Sequence, residues 1–182
     1  LSGDWSSDVC SSDLSAAAAR FPGVDLATCD LADTDLTEAD LAGASFAGAT
    51  LAATQLARAN LSGADLQAAT ILGVDLDGAN LSAAKLARTD LRNARLSSCR
   101  LDGADLEGAR IEKAHLSGVD LRSANLAGAT ILQSLLDGAH AEGVNFTGCD
   151  LTNTMFAGAH LQGALFADAT VRQTSFEGAD LT

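Results

Sequence analysis

Thiols, imidazoles in step and an excess of carboxylates are what this chain offers by way of chemistry. Cys29, Cys99 and Cys149 could each supply a thiolate nucleophile or half a disulfide. His140 and His160 stand 20 residues apart, and Asp120 and Asp180 continue the same interval. Imidazole and carboxylate at one spot could hold a divalent metal. The chain has 24 Asp and Glu against 11 Lys and Arg, so carboxylates fall close together in many places, and such pairs could share general acid and base work. Which of these groups meet depends on the elements that carry them.

Those elements follow a period of five. From Leu26 to Leu181 there are 32 consecutive fifth positions, holding 22 Leu, five Phe, three Ile, Val171 and Ala141. A helix advances 100° per residue and would smear these centres around its whole cylinder. A strand alternates faces, so successive fifth residues would point in and out by turns. The period therefore belongs to a larger repeating unit. Two residues before each centre the side chain is always small: 19 Ala, five Thr, four Val, three Cys and Ser134. Two residues after a centre stand 16 of the 17 Gly, where a turn that needs φ > 0 would favour them. Each unit thus supplies two inward side chains and a turn.

Units such as ADL at 39–41, ANL at 59–61 and ADL at 179–181 resemble the pentapeptide-repeat family, whose pattern is A(D/N)LXX. The resemblance covers about residues 19 to 182. It implies an all-β fold, a right-handed quadrilateral parallel β-helix with four units to each square coil of 20 residues, about eight coils in all.

Charge spacing tests the 20-residue coil independently, because stacked coils place residue n over residue n+20. Eight of the 11 basic residues have an acid at that offset: Arg20 with Asp40, Arg58 with Glu38, Lys85 with Asp65 and Asp105, Arg92 with Glu112, Arg95 with Asp75, Arg100 with Asp120, Arg110 with Asp90, and Arg122 with Asp102 and Glu142. These are the expected ladder pairs. Leu81, Leu101 and Leu121 should form one inward column, and Ala141 should leave a local gap in it.

Residues 1–14, LSGDWSSDVCSSDL, fit no five-residue register. The stretch DWSSDVCSSDL resembles a translated sequencing adapter, so 1–14 is set aside as a non-native or disordered leader and 15–182 as the repeat domain. The chain stops at Thr182 directly after a centre, which suggests a fragment lacking its caps.

Placed on this frame, the chemistry thins out. The three cysteines of the register occupy the small inward place, where a thiol serves as a slightly larger Ala. Cys29 and Cys149 lie six coils apart and Cys99 on the opposite side, so no disulfide within the chain is expected. The two histidines read as solvated surface residues, and a convex rod offers no pocket to tune paired carboxylates. The expectation is no enzyme, no catalytic residue, no cofactor and no metal. No run of about 20 apolar residues exists to span a membrane.

Surface charge and surface apolarity remain. The formal charge is −13, and a band over 85–122 with eight bases and six acids interrupts the otherwise acidic chain. Asp25, Asp30, Asp35 and Asp40 precede the four centres of the first full coil and should ring one end. Such a surface repels nucleic acid, so no direct nucleic-acid binding is expected. Leu132, Leu135, Met155 and Leu165 are outward apolar residues toward the C-terminal coils and form the candidate interaction surface. The favoured function is a non-catalytic scaffold or protein–protein interaction module, with a homodimer through the C-terminal coils as one form of partnership. The resemblance also implies an alternative, a DNA mimic that binds type II topoisomerase (gyrase) and confers quinolone resistance. A third reading is the repeat tail of a larger multidomain protein. The expected location is the cytoplasm of a bacterium, with secretion left open because the native N-terminus is read as missing.

Overall fold

The local turn decides the architecture. In a computed structural model describing residues 17–182, the third residue of every turn from Ala18 to Gly178 has a positive φ, between 52° and 70°. Glycine fills 16 of these places. The others include Asp33, Glu38, Arg58 and Lys113, each carrying about 1–2 kcal/mol of Cβ crowding in this conformation. The turn closes when the amide of the small residue donates to the carbonyl of the preceding centre, as Ala44 does to Leu41 at 3.0 Å.

Four such units bring the chain back above itself. Parallel bridges join every fifth residue to the one 20 further on, from Arg20–Asp40 through to His160–Asp180. The coils are held by three kinds of amide bond, one of them from the positive-φ residue, as Gly43 donates to Ser62 at 2.8 Å. The amide of a centre donates forward, Leu41 to Asn60 at 2.8 Å, and the amide before a centre donates backward, Asp40 to Ala19 at 2.8 Å. The result is the right-handed quadrilateral β-helix, and no helix occurs among the described residues. The leader and the Cys10 within it lie outside them.

The two inward places of each unit form the core. Leu81, Leu101, Leu121 and Ala141 follow one another in one column, each at most 1% exposed. From Thr54 onward, a hydroxyl or thiol at the small place donates to a carbonyl in the coil below, 23 residues earlier, whereas Thr34 donates to Leu31 in its own turn at 2.6 Å. Thr54 reaches Leu31 at 2.8 Å, Cys99 reaches Leu76 at 2.8 Å and Ser134 reaches Ile111 at 2.7 Å. Burial of these polar groups therefore leaves no orphan donor. Ser134 goes further: the Ala114 amide donates to its Oγ at 3.1 Å, so the hydroxyl stands in for the usual turn bond at Ile111.

The gap expected at Ala141 has a counterweight within its own coil. That coil also contains Phe146 and Phe156, edge to face with centroids 5.8 Å apart. The next repeats the arrangement with Phe166 and Phe176 at 6.0 Å, and again a smaller centre, Val171, shares the coil. Rings also stack between coils, Phe146 on Phe166 at 5.1 Å and Phe156 on Phe176 at 5.3 Å. Two aromatic centres on opposite sides need more room than two leucines, and a small residue on a third side supplies it. Ala141→Leu is therefore expected to overpack and lower stability by about 1–3 kcal/mol in urea titration, where a true void would give a gain. Leu101→Asp buries a charge without a partner, should cost several kcal/mol, and should unfold adjoining coils by circular dichroism.

Candidate functional site

The coil has four sides, each marked by the residue before its centres. The first carries Asp40, Asp120, His140 and His160, the second Asp25 and Leu165, the third Asp30 and Asp150, and the fourth Asp35, Leu135 and Met155. Asp25, Asp30, Asp35 and Asp40 thus stand one to a side. Their oxygens are partly engaged by the chain's own turns. Asp25 accepts the Ala27 amide at 3.0 Å, Asp30 that of Ala32 at 3.2 Å and Asp35 that of Thr37 at 3.0 Å. Asp40 instead takes the Arg20 guanidinium at 3.2 Å and the Asn60 amide group at 2.9 Å. Bonds from Thr37, its side chain foremost, hold the Asp35 carboxyl below the usual carboxylate range.

The expected ladder of ion pairs divides in two. Arg20–Asp40, Arg58–Glu38, Lys85–Asp65 and Arg95–Asp75 join neighbouring coils, and Arg95 also reaches Asp77. The other four bases turn to an acid two residues away: Arg92 to Asp90 at 2.6 Å, Arg100 to Asp102 at 3.5 Å, Arg110 to Glu112 at 2.9 Å and Arg122 to Asp120 at 2.6 Å. Positions two apart straddle a centre and emerge on the same edge. At Asp90 and Asp120 the carboxylate is already aimed there, because it accepts the backbone amide of the same arginine. The side-chain bond from that arginine chiefly depresses each carboxyl, against the opposing effect of burial. The 20-residue register is right for all these positions, but a nearer partner within the coil takes half of the side chains.

The apolar candidates separate likewise. Leu135 and Met155 are bridged neighbours on the fourth side, and Leu132 lies at the adjoining corner. Leu132 and Leu135 are half-buried, and Met155 is 39% exposed. Leu165, 56% exposed, follows Asn145 on the second side, half a coil around and facing away from Met155. Leu72, 38% exposed, was not among the sequence candidates. It occupies the same corner column as Leu132, three coils below, and an apolar residue directly after a centre was its signal.

Cys99 and Cys149 are free and buried. Burial pushes their thiols up to about 12 and about 11, the reverse of an activated nucleophile. Cys29 corrects the expectation that no disulfide forms, for it is disulfide-bonded. The three cysteines of the register lie too far apart to pair with one another, and Cys99 and Cys149 are free. His140 and His160 stack in parallel, centroids 4.9 Å apart and planes 7° apart. Among the described residues no three His, Cys, Asp or Glu side chains converge on one point.

The family model for pentapeptide repeats matches in eight copies over residues 12–46, 29–67, 44–82, 75–112, 99–131, 114–153 and 145–182. The crystal structure of HetL, a pentapeptide repeat protein of Nostoc sp. strain PCC 7120 involved in regulating heterocyst differentiation, is similar at 26% identity and a TM-score of 0.52, over 89% of this chain and 86% of that one. A trypsin-treated variant of QnrB1, a plasmid-mediated fluoroquinolone resistance protein, is similar at 22% identity and a TM-score of 0.62, over 90% of this chain and 80% of that one. Among curated proteins none matches.

The depressed carboxyls set the acid limit of the rod. Carboxylates with folded values below the unfolded one, near 3.9 for Asp, contribute stability above that value and lose it as pH falls through their folded values. The urea midpoint should therefore hold steady from pH 7 to about 5 and fall below about pH 4. Arg92→Ala and Arg122→Ala should each lower the midpoint slightly at pH 7 and remove part of the acid drop, as measured by urea titration at both pH values.

Proposed function

Since the chain belongs to the pentapeptide-repeat family, we propose that it is a non-catalytic scaffold whose fourth side meets a protein partner. The observation that carries this reading is the outward stack of Leu135 on Met155, with Leu132 at the next corner. The places before centres elsewhere are dominated by Asp, Asn, Thr and Arg, so two adjoining apolar side chains on a flat side stand out against a polar background. Leu165 faces away and lies outside this contact. The raised thiols and a solvent-facing distribution of carboxylates support the absence of catalysis. The regulatory role of HetL is compatible with such a module.

The DNA-mimic reading draws on the acidic ring and the net charge. Against it stands the basic band, five of whose six arginines are tied to Asp75, Asp77, Asp90, Asp102, Glu112 and Asp120. Each such pair cancels charge that a phosphate-like field requires. A mimic would act by long-range attraction and weaken steeply with salt. An apolar contact would not.

A second copy of the chain is the first partner to test, by sedimentation from low to high salt. Association should persist with salt, and Leu135→Ser combined with Met155→Ser should abolish it while circular dichroism stays unchanged, because both side chains point outward. DNA gyrase supercoiling should be essentially unaffected at micromolar concentrations of the rod. Potent inhibition lost on replacing Asp25, Asp30, Asp35 and Asp40 by Asn would promote the mimic instead.

A further inference from the structure

The first side carries an arrangement that neither scaffold nor mimicry uses. His140 and His160 are exposed, in register on adjacent coils and bridged through their backbones. Two residues on, Glu142 and Gln162 repeat the same vertical relation. Glu142 Oε1 lies 3.9 Å from His140 Nδ1, while Glu142 Oε2 and Gln162 Oε1 are shielded from solvent and have no hydrogen-bond partner. Shielded oxygens without a donor are costly in a chain that satisfies its polar groups elsewhere. The nearest side-chain donors direct bonds elsewhere. Arg122, one coil below Glu142, gives Nε and Nη2 to Asp120, and the Gln162 amide group gives Nε2 to Asp180 at 2.6 Å.

We propose that His140 and His160, with Glu142 and Gln162 beside them, form a site for a divalent transition ion of the zinc class. Imidazole nitrogen with carboxylate and amide oxygen is a donor set that suits Zn²⁺, Ni²⁺ or Cu²⁺ over Mg²⁺ or Ca²⁺. Without an ion the rings stack face to face, and no three such ligands converge among the described residues. Two nitrogens on one tetrahedral zinc lie roughly 3.3 Å apart, given bonds of 2.0–2.1 Å. The ring centroids are 4.9 Å apart and both side chains are exposed, so rotating the imidazoles out of their parallel stack would turn one nitrogen of each toward a shared ion. The ion would then serve the Glu142 and Gln162 oxygens that have no hydrogen-bond partner.

His115, the third histidine of the chain, stands alone on the fourth side and serves as an internal control. Titration of the whole chain with zinc chloride in a calorimeter should show saturable uptake of one ion per chain. His140→Ala and His160→Ala should each weaken it by about tenfold or more, and Glu142→Gln by a smaller factor. His115→Ala should leave it unchanged. Proton NMR of the same samples should show the ring signals of His140 and His160 shifting together, with that of His115 unmoved. No saturable uptake, or uptake as sensitive to His115→Ala as to His160→Ala, would overturn the proposal.

Discussion

Everything in this molecule hangs on a backbone residue held at positive φ once in every five. That conformation turns the chain through a quarter of a coil, and four in succession deliver the ladder amides to carbonyls one coil away. Glycine occupies only about half of these places, so the conformation is imposed by the stacked coils as much as it is permitted by local sequence. A single such turn carrying Arg or Lys would not hold its shape alone. Embedded among neighbours whose amides are already placed, as Arg88 is when it donates to Glu107 at 2.9 Å, it has no better alternative.

The same repetition disciplines the interior. Each unit contributes one large and one small inward side chain, and variation at one is answered nearby. From Thr54 onward, a hydroxyl or thiol at the small place finds the carbonyl 23 residues earlier. A pair of phenylalanines finds a coil with a reduced centre. The thiols are thereby built into the wall of the core, and the force that raises their pKa values, removal from water, is the one that holds the rod together. Outward groups obey no such rule, and every feature that distinguishes one side from another lies there.

This division explains what could be read from the residues alone. The square coil, its register and the inward columns were legible because a period of five and a charge offset of 20 are properties of the chain itself. The stacking of Leu135 on Met155 followed from the same count. The partner choice of Arg92, Arg100, Arg110 and Arg122 did not, because two acids lay within reach of several of them and only the aim of the carboxylate decides between them. Leu165 illustrates a different limit: nearness in sequence put it with Met155, while ten residues of separation carry it to the opposite side. The orphaned oxygens of Glu142 and Gln162 were invisible, since they depend on where neighbouring donors are already spent.

The quarter-turn per unit also governs which changes of length the gene can accept. Loss or gain of 20 residues removes or adds a whole coil and keeps every later side chain on its own side. Loss or gain of five leaves the turns, the core and the hydrogen bonds intact, yet rotates everything downstream by a quarter circle. Five residues deleted between Asp40 and Leu135 would swing Leu135 and Met155 onto a neighbouring side relative to the first coil. Any number that is not a multiple of five breaks the inward spacing outright. The rod therefore has a reading frame of its own, in which a change that is silent for folding can redirect its binding surface.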